Sequence, residues 1–472
     1  MRFPLALTVK IARHIVKHKL RRTPRFALVL QLEPLHTCNL TCTGCGRIRE
    51  YSTSLKDMMS LEDCIGSATE CDAPMVSICG GEPLIYPKIE ELVGALLDQG
   101  RIVYICTNGM FMRKKMRDYL ASIYRPELES KIKTLVAEKL ISDKDAEAIR
   151  KGKSDGRPVI APSKWMYWNV HIDGLEYTHD LIVEREGVFK ECVEAIRMAK
   201  ILGYQVATNT TVYKETDVLE IEQMFQFFSS LEVDGHTISP GYEYDAAKKD
   251  MIKRLDKQPE DFFLTRKMTR QKFAKIQEWG EKFTIFGTPV YQEFLAGKRE
   301  LTCTAWAIPT RNVKGWKAPC YLMTDGHYAG YQEMLREVDW TKYGVVNGVA
   351  RDARCENCMV HCGYDPSGAL GTNYQSGDNW KNIKYNFAAK PKPYYEGRHV
   401  QAFNGFSLGK GHLAEAKAAI NPPRAAMNGA KSVFFHREEA QPQPVSGNGA
   451  CGSGDTSQRD ELLAKIAPKK DA

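Results

Sequence analysis

The sequence predicts an α/β fold built on a parallel sheet or partial barrel, followed by a cysteine-containing C-terminal domain and a disordered tail. Two patterns carry this. From Ala27 to Pro240, short β-branched or apolar runs alternate with longer runs of helical periodicity, and the clusters of cysteine, glycine and small polar residues fall just after the short runs. Composition agrees: 472 residues at 43% hydrophobic and 26% charged suffice for about two or three globular domains and rule out a chain disordered throughout. No run approaches the ~18 apolar residues that a spanning helix needs.

The first 25 residues hold Arg2, Lys10, Arg13, Lys17, Lys19, Arg21, Arg22 and Arg25 and no acid. Of 66 Lys and Arg, this leaves 58 for the rest of the chain, against 58 Asp and Glu, so the remainder is formally neutral. Leu5, Val9, Ala12, Ile15, Val16 and Leu20 recur at helical spacing, which predicts an amphipathic helix with the bases on its other face. Such a helix suits an anionic bilayer surface, at about 1 kcal/mol per base; a basic helix packed on the domain is the alternative. A basic excess confined to one segment argues against a nucleic-acid partner. Lys10, Arg13 and Lys17 interrupt any secretory apolar core, so the expected location is cytoplasmic, with peripheral contact on the inner face of the membrane. Without an export signal, fourteen cysteines point to metal binding or catalysis more than to disulfides.

In order, the strand-like runs are Ala27 to Leu32, Met75 to Cys79, Ile102 to Thr107, Tyr167 to Ile172, Val206 to Val212 and Thr237 to Ser239. Between them Leu61 to Cys71, Ile89 to Gln99, Phe189 to Leu202 and Val218 to Leu231 read as helices. An alternation of this kind places the active site at the strands' C-terminal ends. The connection Phe111 to Lys164 is oversized and reads as a peripheral insertion with a helical hairpin, Ile132 to Leu140 and Lys144 to Lys151. The domain reading is a basic helix at 1–25, a core at 26–240, a C-terminal domain at 241–395 that is helical and polar over Lys257 to Lys282, and a disordered tail at 396–472 whose composition cannot repay the cost of ordering.

After the first strand come Cys38, Cys42 and Cys45 at C-x3-C-x2-C spacing. Three thiolates from one tight loop can hold three corners of a cubic [4Fe-4S] cluster and leave the fourth iron open. A zinc knuckle completed by His36 is the alternative. After the second strand stand Gly80, Gly81, Glu82 and Pro83, where glycines let backbone approach a ligand and Glu82-Pro83 fixes the turn. Cys64, Cys71, Cys79, Cys192 and Cys451 read as core or surface thiols.

The three-cysteine loop followed by the Gly80–Pro83 turn resembles the radical S-adenosylmethionine superfamily. The resemblance implies a partial (βα)6 TIM-like barrel, a [4Fe-4S] cluster on Cys38, Cys42 and Cys45, S-adenosylmethionine chelated to the open iron, and an electron donor such as flavodoxin or ferredoxin. In looser correspondence, Thr107, Asn108, Asp173, Asn209 and Ser239 end strands three to six and are candidates to hold the cofactor's ribose, carboxylate or adenine; each is equally a residue that caps a helix.

Longer stretches resemble the adenosylhopane synthase family: Leu32-Glu33-Pro34-Leu35, Tyr104 to Asn108, Val170 to Gly174, Ile238 to Tyr242, Pro309 to Val313 with Gly315-Trp316, and Cys358 to Gly363. That family is associated with joining the deoxyadenosyl group to the terminal alkene of diploptene, a hydrophobic triterpene, with S-adenosylmethionine consumed as co-substrate. The insertion and the tail depart from its pattern and leave room for a related substrate. Radical addition leaves a carbon radical that a thiol can quench, and Cys106, ending the third strand, is the candidate, with a small core residue as the alternative. Cys303, Cys320, Cys355, Cys358 and Cys362 resemble an accessory cluster set; a second four-iron cluster, a zinc site involving His361, and unliganded thiols are all open readings. Two other functions compete: a radical enzyme modifying another lipid, a peptide or a small metabolite, and a non-catalytic iron–sulfur or zinc protein. The missing fourth thiol argues against the last.

Overall fold

The short apolar runs form strands that are buried along nearly their whole length, as in a sheet covered on both faces, and a computed structural model describes residues 2–51, 57–152 and 156–391 of the chain. The predicted tail and Cys451 lie outside the described residues. After α1 (Leu5–Leu20) the order is β1 (Val29–Glu33), α2 (Leu61–Cys71), β2 (Met75–Ile78), α3 (Ile89–Asp98), β3 (Ile102–Thr107), α4 (Met112–Ser122), α5 (Glu129–Ala137), α6 (Asp143–Arg150), β4 (Met166–His171), α7 (Glu176–Ile182), α8 (Val188–Leu202), β5 (Gln205–Val212), α9 (Val218–Ser230) and β6 (Gly235–Pro240). There follow α10 (Asp245–Leu255), α11 (Arg266–Lys272), α12 (Ile276–Lys282), α13 (Pro289–Leu295), β7 (Thr310–Asn312), β8 (Gly315–Pro319), β9 (Thr324–Tyr328), α14 (Tyr331–Glu337), β10 (Val345–Val346), β11 (Val349–Ala350), α15 (His361–Leu370) and α16 (Asp378–Phe387).

The first six strands lie side by side in sequence order and all run parallel, the arrangement of a partial βα barrel. On their outer faces Leu30, Leu32, Val76, Ile78, Val103, Ile105, Trp168 and Val170 are buried in one large core with the helices. At about 25 cal/mol per Å² of apolar surface removed from water, this layer is the main favourable term in the fold.

Beyond Pro240 the sheet does not stop: β7 pairs parallel to β1, and β8 and β9 add antiparallel, giving nine strands in the order β6-β5-β4-β3-β2-β1-β7-β8-β9. The cysteine-containing segment is therefore joined edge-on to the strand that leads into the three-cysteine loop. One expectation is corrected and one is refined. The 111–164 connection is not peripheral throughout, because α4 takes the helix position between β3 and β4, and Met112, Met116, Leu120, Ile132 and Leu135 are buried in the main core. The helical stretch 257–282 is divided: Pro259 opens a short 3-10 turn, and α11 starts afresh from a Thr265 cap whose side chain accepts from the Met268 N–H.

One end of the barrel is plugged. Leu7 of α1 packs with Ile102, Tyr104, Tyr167 and Ala207 at the strands' N-terminal ends, joined by Phe3, Ile11 and Phe286. The Tyr104 and Tyr167 rings stack at 4.8 Å, and His14 Nε2 lies 2.9 Å from the Ala27 carbonyl. The face of α1 opposite the predicted stripe is thus apolar and buried, not basic. Among the described residues no helix is long and apolar enough to cross a membrane.

Candidate active site

The opposite end of the barrel is polar. Two residues further along the strands whose aromatic side chains make the plug, the same inward face presents Cys106 on β3 and Asn169 on β4, cross-strand partners in the register. Asn169 Nδ2 donates to Cys106 Sγ at 3.4 Å, and Ser77 Oγ of β2 lies 3.1 Å from the same sulfur. Cys106 is half-buried, and burial pushes its thiol above the ordinary range, so it rests as S–H.

Around this thiol the loops after the strands are tied together. Glu82 is buried, and its carboxylate accepts from Thr107 Oγ1 at 2.7 Å, from the Asn108 N–H at 2.8 Å and from the Leu84 N–H at 3.1 Å. Burial raises it to about 7 despite these donors. Asn108 Nδ2 in turn donates to Asn39 Oδ1 at 2.7 Å, inside the three-cysteine loop. The glycines serve a packing role beyond the one expected from sequence. A Cβ on Gly81 would sit 1.9 Å from the Thr37 carbonyl oxygen, and one on Gly80, at φ +107°, 2.3 Å from that of Leu35. The turn is pressed against the cysteine loop, fastened by Gly81 N–H to Leu35 O at 3.0 Å and Glu82 N–H to Thr37 O at 2.9 Å.

Cys38, Cys42 and Cys45 are free thiols, half-buried on one loop. Burial, with Glu82 adding to it, pushes Cys38 up to about 12, and Cys42 and Cys45 are raised as well, so thiolates here need a cationic partner such as iron. The three sulfurs do not all fall within 4.8 Å of one another; among the described residues the one ligand-type trio that does is His14, His18 and Asp72, where Asp72 is already paired with Lys17 and Arg101. A wider spread of ligands suits the corners of a polynuclear cluster better than a single ion. His36 Nε2 is held 3.3 Å from Glu33 Oε2 and its ring stacks on Tyr51, and among the described residues His36 joins no trio of ligand atoms within 4.8 Å of one another. The donor set thus fits a [4Fe-4S] cluster.

Beneath the loop lies a charge network that motif reading did not find. Arg47 is buried, 3.2 Å from Glu33 and 2.8 Å from Glu50, donates to the Tyr321 carbonyl at 2.7 Å, and sits over the Tyr321 and Tyr244 rings. Lys317 Nζ completes it, 2.6 Å from Glu50. Burial would push the Glu33 carboxyl up, but Arg47 and His36 hold it down to about 2. Arg47 follows Cys45 by two residues, which is the signal that sequence offered.

The other candidates are spread across the strand ends. Asp173 is buried; Oδ1 accepts from the Thr211 N–H at 2.7 Å, while Oδ2 lies 2.8 Å from His171 Nε2, out of hydrogen-bond alignment. Asn169 Oδ1 is a buried acceptor without a hydrogen-bond partner among the described residues, an atom that a hydroxyl of a bound nucleoside could satisfy. Asn209 is half-buried, in register with His171. Ser239 Oγ lies 3.1 Å from His361 Nδ1, tying β6 to the C-terminal cysteines.

Cys303, Cys320, Cys355, Cys358 and Cys362 converge closely enough that neighbouring thiols help raise Cys303 and Cys362. Among the described residues, no trio of ligand atoms that includes His361 lies within 4.8 Å of one another. A cavity of about 430 Å³ lies where Arg49 and Glu50, just after the cysteine loop, face the start of α10 and Arg354, its lining a mixture of charged side chains with Tyr242, Leu322 and Met323.

Comparison with known proteins follows this division. Residues 32–128 match the radical SAM superfamily model, and residues 236–383 match a domain of unknown function, DUF3463. The 7-carboxy-7-deazaguanine synthase of Neisseria meningitidis serogroup B is 34% identical over 88 residues, which are 19% of this chain and 40% of that protein, so the match spans less than half the relative's length. Streptococcus suis SuiB bound to S-adenosylmethionine is similar at 15% identity and a TM-score of 0.43, over 64% of this chain and 62% of that one. SuiB bound to its precursor peptide SuiA gives 12% and 0.45 over 80% of each, and anSMEcpe with bound AdoMet and Cp18Cys peptide gives 14% and 0.40 over 66% and 81%.

Proposed function

We propose that this chain, which carries a radical SAM superfamily domain over residues 32–128, is a transferase that joins the 5′-deoxyadenosyl group of S-adenosylmethionine to the terminal alkene of diploptene, giving adenosylhopane, and that it works peripherally on the inner face of the membrane. When bound, the cluster and S-adenosylmethionine supply a 5′-deoxyadenosyl radical, the electron coming from a donor such as flavodoxin or ferredoxin. The observation that carries the transferase reading is a thiol held on the inward face beside the tied loops: Cys106, oriented by Ser77 and Asn169.

In this reading Cys38, Cys42 and Cys45 hold three irons, and the backbone of Gly80 to Pro83 borders the site with Thr107 and Asn108. Asn169, Asp173, Asn209 and Ser239 orient the nucleoside end. As the carbon–carbon bond forms, the neighbouring tertiary carbon is left with an unpaired electron; Cys106 gives it the hydrogen atom of its S–H, and a second electron from the same flavodoxin- or ferredoxin-type donor with a proton from water restores the thiol. Resting as S–H rather than thiolate suits that task.

A second reading, a radical enzyme modifying a peptide, another lipid or a small metabolite, is favoured by the five converging C-terminal cysteines and the partly charged cavity beside them. One anaerobic experiment separates the two. The reconstituted full chain, a strong reductant, S-adenosylmethionine and diploptene in detergent should yield an adduct with the mass of diploptene plus the deoxyadenosyl group and one hydrogen. Free 5′-deoxyadenosine beside unchanged diploptene would overturn the diploptene reading and leave the second. Cys106→Ala should still cleave the cofactor but lose or alter the adduct; a normal product from it would remove Cys106 from the mechanism.

A further inference from the structure

Helix α16 is docked inside out for a helix in water. Its inward face is polar: Asp378 pairs with Arg299 at 2.8 Å, Asn382 Nδ2 donates to the Gly368 carbonyl at 3.2 Å, and the Tyr385 hydroxyl donates to the Ile285 carbonyl at 2.7 Å. Its outward stripe is apolar, with Trp380, Phe387 and Ile383 67%, 50% and 47% exposed and spaced three to four residues apart.

The adjoining helix has the same character. Helix α1 buries Leu7 and His14 against the barrel and turns Leu5, Val9, Ala12, Val16 and Leu20 outward, Leu20 reaching 80% exposure. Helix α16 meets the segment that leads into α1 at Arg2, whose N–H donates to the Asn386 carbonyl at 3.3 Å and whose guanidinium lies over the Tyr385 ring. Of the thirteen large apolar residues exposed among the described residues, seven belong to these two helices, so the exposure is concentrated rather than scattered.

We infer that the α1–α16 face docks the protein on a bilayer rich in anionic lipid, α1 lying in the headgroup plane with Trp380 and Phe387 beside it. Charge selects this occupant. Arg13, Lys19, Arg21 and Arg22 flank the α1 stripe in a segment with no acid, whereas a second copy would set like charges against like. Trp380 lies one turn from Lys384, an aromatic and a cation together as at an interfacial anchor, whereas Lys381 is taken up by Glu293 at 2.7 Å. The face lies at the plugged end of the barrel, which leaves the three-cysteine loop clear for an electron donor. This rests on the reading of a peripheral protein in the proposed function and names the surface that meets the bilayer; the active site faces away from it, at the other end of the barrel.

The test is co-sedimentation of the full chain with phosphatidylcholine vesicles with and without phosphatidylglycerol, no substrate being present. Binding should require phosphatidylglycerol, fall as salt rises, and weaken roughly tenfold or more in Arg13→Glu/Lys19→Glu and again in Trp380→Ser/Ile383→Ser. These exposed positions should leave the melting temperature unchanged, and hydrogen exchange of residues 5–20 and 378–387 should slow on vesicles. No binding, equal binding to both vesicle types, or a concentration-dependent dimer abolished by the Trp380→Ser pair would overturn it. Vesicle binding with no adduct from diploptene in detergent sinks the substrate reading alone; adduct without vesicle binding sinks the docking alone.

Discussion

The same strand faces build two opposite environments within one turn of the pleat. On β3 and β4 the inward residues Tyr104 and Tyr167 stack into a dry plug with Leu7, while two positions along, Cys106 and Asn169 leave a small polar floor. Period-2 alternation puts all four on one face, so side-chain volume alone decides which end is filled and which can receive a ligand. The plug is held by apolar burial and one helix; the open end is held by hydrogen bonds between loops, chiefly through Glu82 and Asn108. One end is set up for stability and the other for holding something.

That contrast can be broken from either side. Cys42→Ala should have the largest effect, abolishing cofactor cleavage while leaving the melt of the metal-free chain nearly unchanged; iron analysis checks it, with about four irons per chain expected for the loop cluster alone and about eight if the C-terminal thiols hold another. Tyr167→Ala should cost about 3–5 kcal/mol in denaturant unfolding, because its cavity lies in the plug. Glu82→Ala should cost about 2–3 kcal/mol by stranding the donors of Thr107, Asn108 and Leu84.

The two ends should also answer pH with opposite sign. Glu82 is raised to about 7, so its contribution is full below about 4.5 and fades as pH rises through about 7. Burial lowers His14 to about 4, so its contribution to docking α1 is full above about 6.5 and is lost as pH falls through about 4. Hydrogen exchange of the metal-free chain, followed at residues 80–84 and 5–20, reads the two windows separately. Glu82→Gln should flatten the first and leave the second. Smallest of all, Lys17→Ala, which removes an exposed pair with Asp72 at 3.0 Å, should cost under about 1 kcal/mol by the same unfolding assay.

Strand and helix positions were legible because period is local: Ile102 to Thr107 and Leu61 to Cys71 were read to the residue. The cysteine loop and the Gly80–Pro83 turn were legible because short motifs keep their spacing in the chain. Arg47, Lys317 and Tyr321 were not, since a buried network that joins positions more than 250 residues apart leaves no local pattern. The reason for the glycines also changed: Gly80 and Gly81 make room for the carbonyls of Leu35 and Thr37, a contact that exists only once β1 and β2 lie side by side.

By itself, then, the sequence determined the βα order, the three-thiol loop, the thiol at position 106 and the basic N-terminal segment, all set by neighbours within a few residues. Tertiary structure decided that β7 extends the sheet from β1, that α1 plugs the barrel with Leu7 while leaving its other stripe in water, and that α16 turns Trp380 outward. Helical periodicity marks an apolar stripe, but which side of a helix meets protein depends on surfaces brought together from far along the chain.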